Sequence, residues 1–115
     1  MSTDSIDPAV FRELQDTAGP EFVAELVDTF LQEAPPLIDE LHRALDAGQV
    51  DDFRRAAHSL KANALTFGAT ELAGVARDLE LRGLAAVAAT GPAALAPLLD
   101  AYARAATALA GLRDA

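Results

Sequence analysis

The residues able to do chemistry in this 115-residue chain gather in one run, RRAAHSLKANALTFGATELAGVARDLE, spanning 54–80. Near its head stands His58. Projected as a helix at about 100° per residue, Phe53, Ala56, Ala57, Leu60, Ala64 and Phe67 fall on one apolar stripe. His58 lies about 200° from Leu60 on that projection, so its imidazole points away from the stripe. Its neighbours one turn away are Arg54, Arg55, Lys61, Ala62 and, less directly, Leu65. An exposed imidazole ringed by cations, beside a small side chain, is better placed to hold an anion than to pack in a core.

Most enzymatic arrangements are missing. The chain has no GxxxxGK phosphate loop, and no glycine-rich loop paired with a catalytic lysine and metal-binding aspartates. Ser59 follows His58 directly, but on a helix the two diverge by about 100°, which does not make a nucleophile–base pair. The only other imidazole, His42, is 16 residues away, and there is no cysteine, so a zinc site is not expected. His42 reads as a surface or helix-packing residue. What remains is a histidine presented as a nucleophile without catalytic machinery of its own. Neutral imidazole accepts a phosphoryl group near neutral pH, and phosphoryl transfer needs positioning and charge neutralisation more than covalent help. Lys61, three residues on, can neutralise a phosphoryl group on His58. Ala62, four residues on, lets another protein's active site approach.

The elements that must position these residues are helices. Hydrophobic residues make up 51% of the chain and aromatics 5%, so the apolar content is mostly Ala and Leu, which favours helix over strand. No segment alternates with period two, so no sheet is expected. Asp7-Pro8 reads as an N-cap and first helical position, opening a short helix over 7–16. Gly19-Pro20 opens a second helix with Phe22, Val23, Leu26, Val27, Phe30 and Leu31 at helical spacing. Pro35-Pro36 predicts a kink or break, after which Leu37, Ile38, Leu41 and Leu45 resume the pattern and Gly48 stops it. The His58 helix starts near Asp51 and ends by Gly68. A fourth helix, with Leu72, Val75, Ala76 and Leu79 inward, ends near Gly83. A loose stretch, AAVAATGP, precedes a last helix carrying Leu95, Leu98, Leu99, Tyr102, Ala106, Leu109 and Leu112, in which Pro97 implies either a start later than Pro92 or a kink. The expected fold is all-α: an antiparallel four-helix bundle with a short N-terminal capping helix, forming one domain over 1–115.

Charge narrows the partners. Residues 1–52 carry 13 acidic and 2 basic side chains, a net of −11, and residues 53–115 carry 5 and 7, a net of +2, together the −9 of the whole. Such an acidic chain lacks the basic face that sequence-independent nucleic-acid binding needs. Arg54, Arg55 and Lys61 nevertheless cluster around His58, where a phosphate or an acidic partner surface would be drawn. The polar, acidic start MSTDSID does not fit a signal peptide, and no apolar run approaches the roughly 20 residues of a membrane span. A cytoplasmic location without membrane association is expected.

The segment AHSLKANALTFGATELAGVARDLE resembles the phosphoacceptor motif of histidine-containing phosphotransfer (HPt) domains. It has the histidine, a lysine three later, a small residue four later, then F-G and a distal L-E; the expected helix order extends the likeness to nearly the whole chain. The resemblance implies that His58 is phosphorylated on the ring nitrogen farther from the backbone. It implies that Lys61 is the supporting lysine. It places Glu80 where related domains of chemotaxis kinases have a glutamate that hydrogen-bonds the other ring nitrogen and so fixes the tautomer. The family most often has glycine after the lysine, where this chain has Ala62. What is implied is a phosphorelay carrier of two-component signalling rather than an enzyme. It would exchange a phosphoryl group with receiver-domain aspartates of hybrid histidine kinases and response regulators. It needs no cofactor of its own, the receiver bringing Mg²⁺, and it is expected to act as a monomer. The docking face would combine the exposed side of 54–65 (Arg54, Arg55, Ala62, Leu65) with part of 20–33, through a partly exposed Phe22 or Val23. Two other readings compete: a phosphoacceptor domain cut from a hybrid or chemotaxis-type kinase, and a helical interaction module whose histidine is incidental. Starting at Met1 and ending soon after the last helix weighs mildly against the first.

Overall fold

The computed structural model describes residues 5–114; residues 1–4 of the MSTDSID run, and Ala115, lie outside that range. Five helices build it: α1 (Pro8–Ala18), α2 (Pro20–Ala47), α3 (Val50–Thr66), α4 (Thr70–Ala88) and α5 (Ala96–Asp114). No strand occurs among the described residues. Helix α3 packs on both α2 and α4, α4 packs on α5, and α5 returns to α2, while α1 lies against α2. The expected four-helix bundle and its N-terminal cap are both present. The 28 residues of α2, at about 1.5 Å each, account for the 42 Å long axis of the molecule.

Two stretches fold differently from what their local sequence suggests. Helix α2 runs through Pro35 and Pro36 as one element instead of breaking. Both rings sit on the exposed side, while Phe30, Ala34, Ile38, Leu41 and Ala44 are buried. Each proline removes one helical hydrogen bond, leaving the carbonyls of Leu31 and Gln32 without their usual donor, and burial on both sides of the interruption keeps the segment helical. At the other end of the bundle, Gly83 does leave the helical region (φ 81, ψ 164), yet the chain turns helical again as far as Ala88. The stretch expected to be loose is ordered because Val87 is fully buried. Helix α5 then starts at Ala96, later than Pro92, which leaves Pro97 in the first turn, where a missing N–H is harmless. Leu99, on the expected stripe of α5, is exposed.

The core is apolar throughout, with no buried polar or charged residue among the described residues. Phe53, Leu60, Leu72 and Leu98 fill it, and the whole apolar stripe expected on α3 is buried. Buried alanines are frequent on the two helices that pack together here: Ala56, Ala57 and Ala64 on α3, and Ala73 and Ala76 on α4, with Ala69 just before it. Small side chains let the two backbones approach closely, and this seam sets the reach between side chains that leave it for solvent.

The α3–α4 turn is pinned from outside. The Asp7 N–H donates to the Gly68 carbonyl at 2.7 Å, and the Asp7 carboxylate accepts from the Ala9 N–H at 3.0 Å, capping α1. Gly68 has φ +74, and a Cβ built there would stand 2.8 Å from Cβ of Val10 and 3.1 Å from the Asp7 carbonyl. Gly68→Ala therefore meets both a strained backbone and a collision with α1. It should lower unfolding stability by at least about 1–2 kcal/mol, measured by denaturant titration. Parent-like stability would show that α1 does not need this close approach.

Candidate functional site

Three side chains converge where α3 and α4 run level. The reversal at 67–69 brings position 58 opposite position 80, because each lies about three turns from the turn. Side chains on a helix lean towards its N-terminus, so in an antiparallel pair Lys61 and Glu80 lean towards each other. Glu80 takes both partners at once. Its Oε2 lies 2.8 Å from Nδ1 of His58, and its Oε1 accepts from Nζ of Lys61 at 2.8 Å. Glu80 makes no ion pair with Arg77, three residues before it, or with Arg54.

The exposures follow the chemistry. The His58 side chain is 58% exposed, against 17% for Glu80 and 22% for Lys61. The imidazole stands in solvent on a half-buried ionic base. The hydrogen bonds from Lys61 and then His58 hold the Glu80 carboxyl below its usual range. An ionised carboxylate has no proton to give, so Nδ1 of His58 carries the hydrogen and donates it. In the neutral ring that puts the lone pair on Nε2, which makes no hydrogen bond of its own. A group whose pKa is lowered on folding contributes stability above its unfolded value, here 4.5, and loses it as pH falls through the lowered value. The fork is thus intact at neutral pH and comes apart in acid.

The remaining expected site residues are spread over a wider surface. Arg54 and Arg55 are exposed, each turned to an aspartate of its own helix, Asp51 and Asp52 respectively, so the cationic ring around His58 is partly neutralised locally. Ala62 lines an open groove with His58, and Leu65, one turn further along the same stripe, is 54% exposed. Of the two residues expected to be partly exposed, Phe22 is 52% exposed and Val23 is fully buried in the core. Phe22 also stands ten residues before Gln32, the first α2 residue of the groove, about 15 Å along the axis. The α2 wall beside His58 is instead 32–43, with Glu33, Pro36, Leu37, Glu40 and Arg43 facing a space of ≈ 670 Å³. Sequence reasoning looked for the α2 contribution over 20–33 and so did not single out this wall. The signal was present, since an antiparallel turn at Gly48-Gln49 puts position 58 level with the residues just before Glu40. His42 is exposed and takes no part in the groove. Among the described residues no group of three or more His, Asp or Glu side chains is arranged to hold a metal ion, and no helix is long and apolar enough to cross a membrane.

The chain matches the family model described as Hpt domain over residues 25–114. It is similar to the crystal structure of histidine-containing phosphotransfer protein B (HptB) from Pseudomonas aeruginosa PAO1, with 28% identity and a TM-score of 0.76, covering 98% of this chain and 95% of that one. Comparison with curated proteins finds no match.

Glu80→Gln tests the base of the site. The amide keeps the size, loses the charge that holds Lys61, and no longer dictates which ring nitrogen carries the proton. Phosphoryl acceptance by His58 should slow by on the order of tenfold or more, while Lys61→Ala, which leaves the Nδ1 bond in place, should cost less than about tenfold. Rates of label uptake separate the two. An equal loss in both would mean that Lys61 acts on the reacting group directly.

Proposed function

The chain belongs to the Hpt domain family, and from that premise we propose that it is a phosphorelay carrier, accepting a phosphoryl group on Nε2 of His58 from an aspartyl-phosphate of one receiver domain and passing it to the aspartate of another. The observation that carries this reading is the fork at Glu80, which ties down Nδ1 and leaves Nε2 free, exposed and beside the small Ala62. In the forward step the Nε2 lone pair attacks phosphorus and the P–O bond to the receiver's aspartate breaks. The bonding electrons leave with that carboxylate. The ring, still protonated at Nδ1, becomes a phosphoimidazolium whose positive charge faces Glu80. The onward step reverses these bonds, and the neutral imidazole that leaves is already held in its starting tautomer.

This chain contributes the nucleophile, the ionic base that orients it and the docking surface. The receiver contributes the aspartate, its acidic pocket and Mg²⁺, so the chain is a carrier and not a catalyst in its own right. It acts in the cytoplasm, as a monomer and as one unit over 1–115. The partners are receivers of hybrid kinases and response regulators.

Incubation with a phosphorylated receiver should place acid-labile label on the parent protein and on His42→Gln, and none on His58→Gln. Ala62→Leu keeps helix propensity, and its side chain meets only water in the free protein. In the complex it would stand between His58 and the aspartate, where about 1 Å of misplacement can cost on the order of a hundredfold. Transfer should fall steeply with little change in Tm. Normal transfer by this variant would move the docking surface elsewhere, and unfolding would mean that the face is buried.

A further inference from the structure

The groove at His58 is part of a longer furrow. Towards the α3–α4 turn it continues past Leu26, Thr29 and Thr66, sharing Glu33 and Asn63; towards the α2–α3 turn it continues past Ala47, Gln49 and Asp52, sharing Glu40 and Arg43. It follows the α2–α3 seam for most of the length of α3, with His58 near its middle. Its walls differ in charge. On the α3 side Arg54 and Arg55 face Asp51 and Asp52, and between His58 and Thr66 that wall is lined by Ser59, Ala62 and Asn63. On the α2 side Glu33 and Glu40 stand seven residues apart, about 10 Å along the axis, with Pro36 and Leu37 between them. Neither glutamate has a cation within salt-bridge distance among the described residues, and Arg43, one turn beyond Glu40, is likewise unpaired there. Pro35 and Pro36 bring no N–H, so the carbonyls of Leu31 and Gln32 lack their usual helical donor just beside Glu33. The α2 wall is therefore rich in acceptors and poor in donors above Arg43.

Resting on the carrier reading, we propose that the α2 wall selects among receiver domains by charge. The favoured receiver presents two basic side chains about 10 Å apart, one to Glu33 and one to Glu40, with an apolar residue between them seated on Pro36 and Leu37. Beyond the second cation it has an acidic or neutral group facing Arg43. This order, read along the furrow, also fixes the direction in which the receiver lies, and so which of its edges reaches His58. A receiver with an acidic face would meet like charge and unpaired acceptors. Complementary rim charges act mainly on the rate of encounter and on its salt dependence, and like charges brought together exclude the wrong partner.

The test is transfer kinetics from a receiver domain that labels the parent protein, comparing the parent with Glu33→Lys/Glu40→Lys at low and high salt. The parent and the double variant are also labelled with inorganic phosphoramidate, a donor too small to need docking, so that any change in His58 itself is measured and divided out. After that correction, kcat/KM from the receiver should fall on the order of tenfold at low salt, chiefly through KM, and the gap should close at high salt. A corrected kcat/KM equal to the parent's at low salt would overturn the proposal, as would a gap that salt leaves untouched. If no receiver labels the parent while phosphoramidate does, the carrier reading itself fails and takes the proposal with it; that result is distinct from a parent that transfers with a variant that is unaffected.

Discussion

A single carboxylate, shared between two partners on the neighbouring helix, is what the rest of this structure serves. Glu80 must reach both Nδ1 of His58 and Nζ of Lys61 from across the α3–α4 seam. That demands two helices close enough for short side chains to meet, and level enough for position 80 to fall between positions 58 and 61. Alanines along the seam meet the first demand. The tight reversal at Phe67-Gly68-Ala69 meets the second, and it is held in register from outside by the bond from Asp7. The short α1, which touches no reactive group, thus bears on the chemistry through the turn it clamps.

The same arrangement divides labour by exposure. A reactive nitrogen must be open to a partner, while a group that orients it must be held still. Glu80 and Lys61 lie half-buried at the foot of the site and His58 stands above them. Lys61 is engaged by the carboxylate rather than waiting beside Nε2. Its charge therefore acts first by keeping Glu80 ionised and in place, and its other N–H donors are left for a phosphoryl group.

Much of this was legible in the sequence because it rests on local pattern. The 3.6-residue period placed Phe53, Ala57, Leu60 and Ala64 in the core and turned His58 outward, and the glycines and prolines marked most helix ends. The failures share one physical cause, tertiary burial overriding local preference. Pro35-Pro36 interrupts the hydrogen bonds of α2 but not its packing, since Ala34 and Ile38 on either side are buried. Val87 folds a stretch of alanines that looked loose. The α2 share of the docking face was sought over 20–33, where Phe22 is exposed and Val23 is buried, and the α2 residues beside His58 are 32–43. The fork itself was foreshadowed only by resemblance: nothing local to Glu80 says that it meets His58 rather than Arg77.

The central claim is that Nε2 of His58 receives the phosphoryl group while Nδ1 keeps its proton on Glu80. Nitrogen-15 and phosphorus-31 NMR of the phosphorylated, histidine-labelled protein tests it directly. The account predicts a phosphorus–nitrogen coupling to Nε2 of His58 and a protonated Nδ1 whose signal shifts in Glu80→Gln. Phosphorus on Nδ1, or on any residue other than His58, would contradict it.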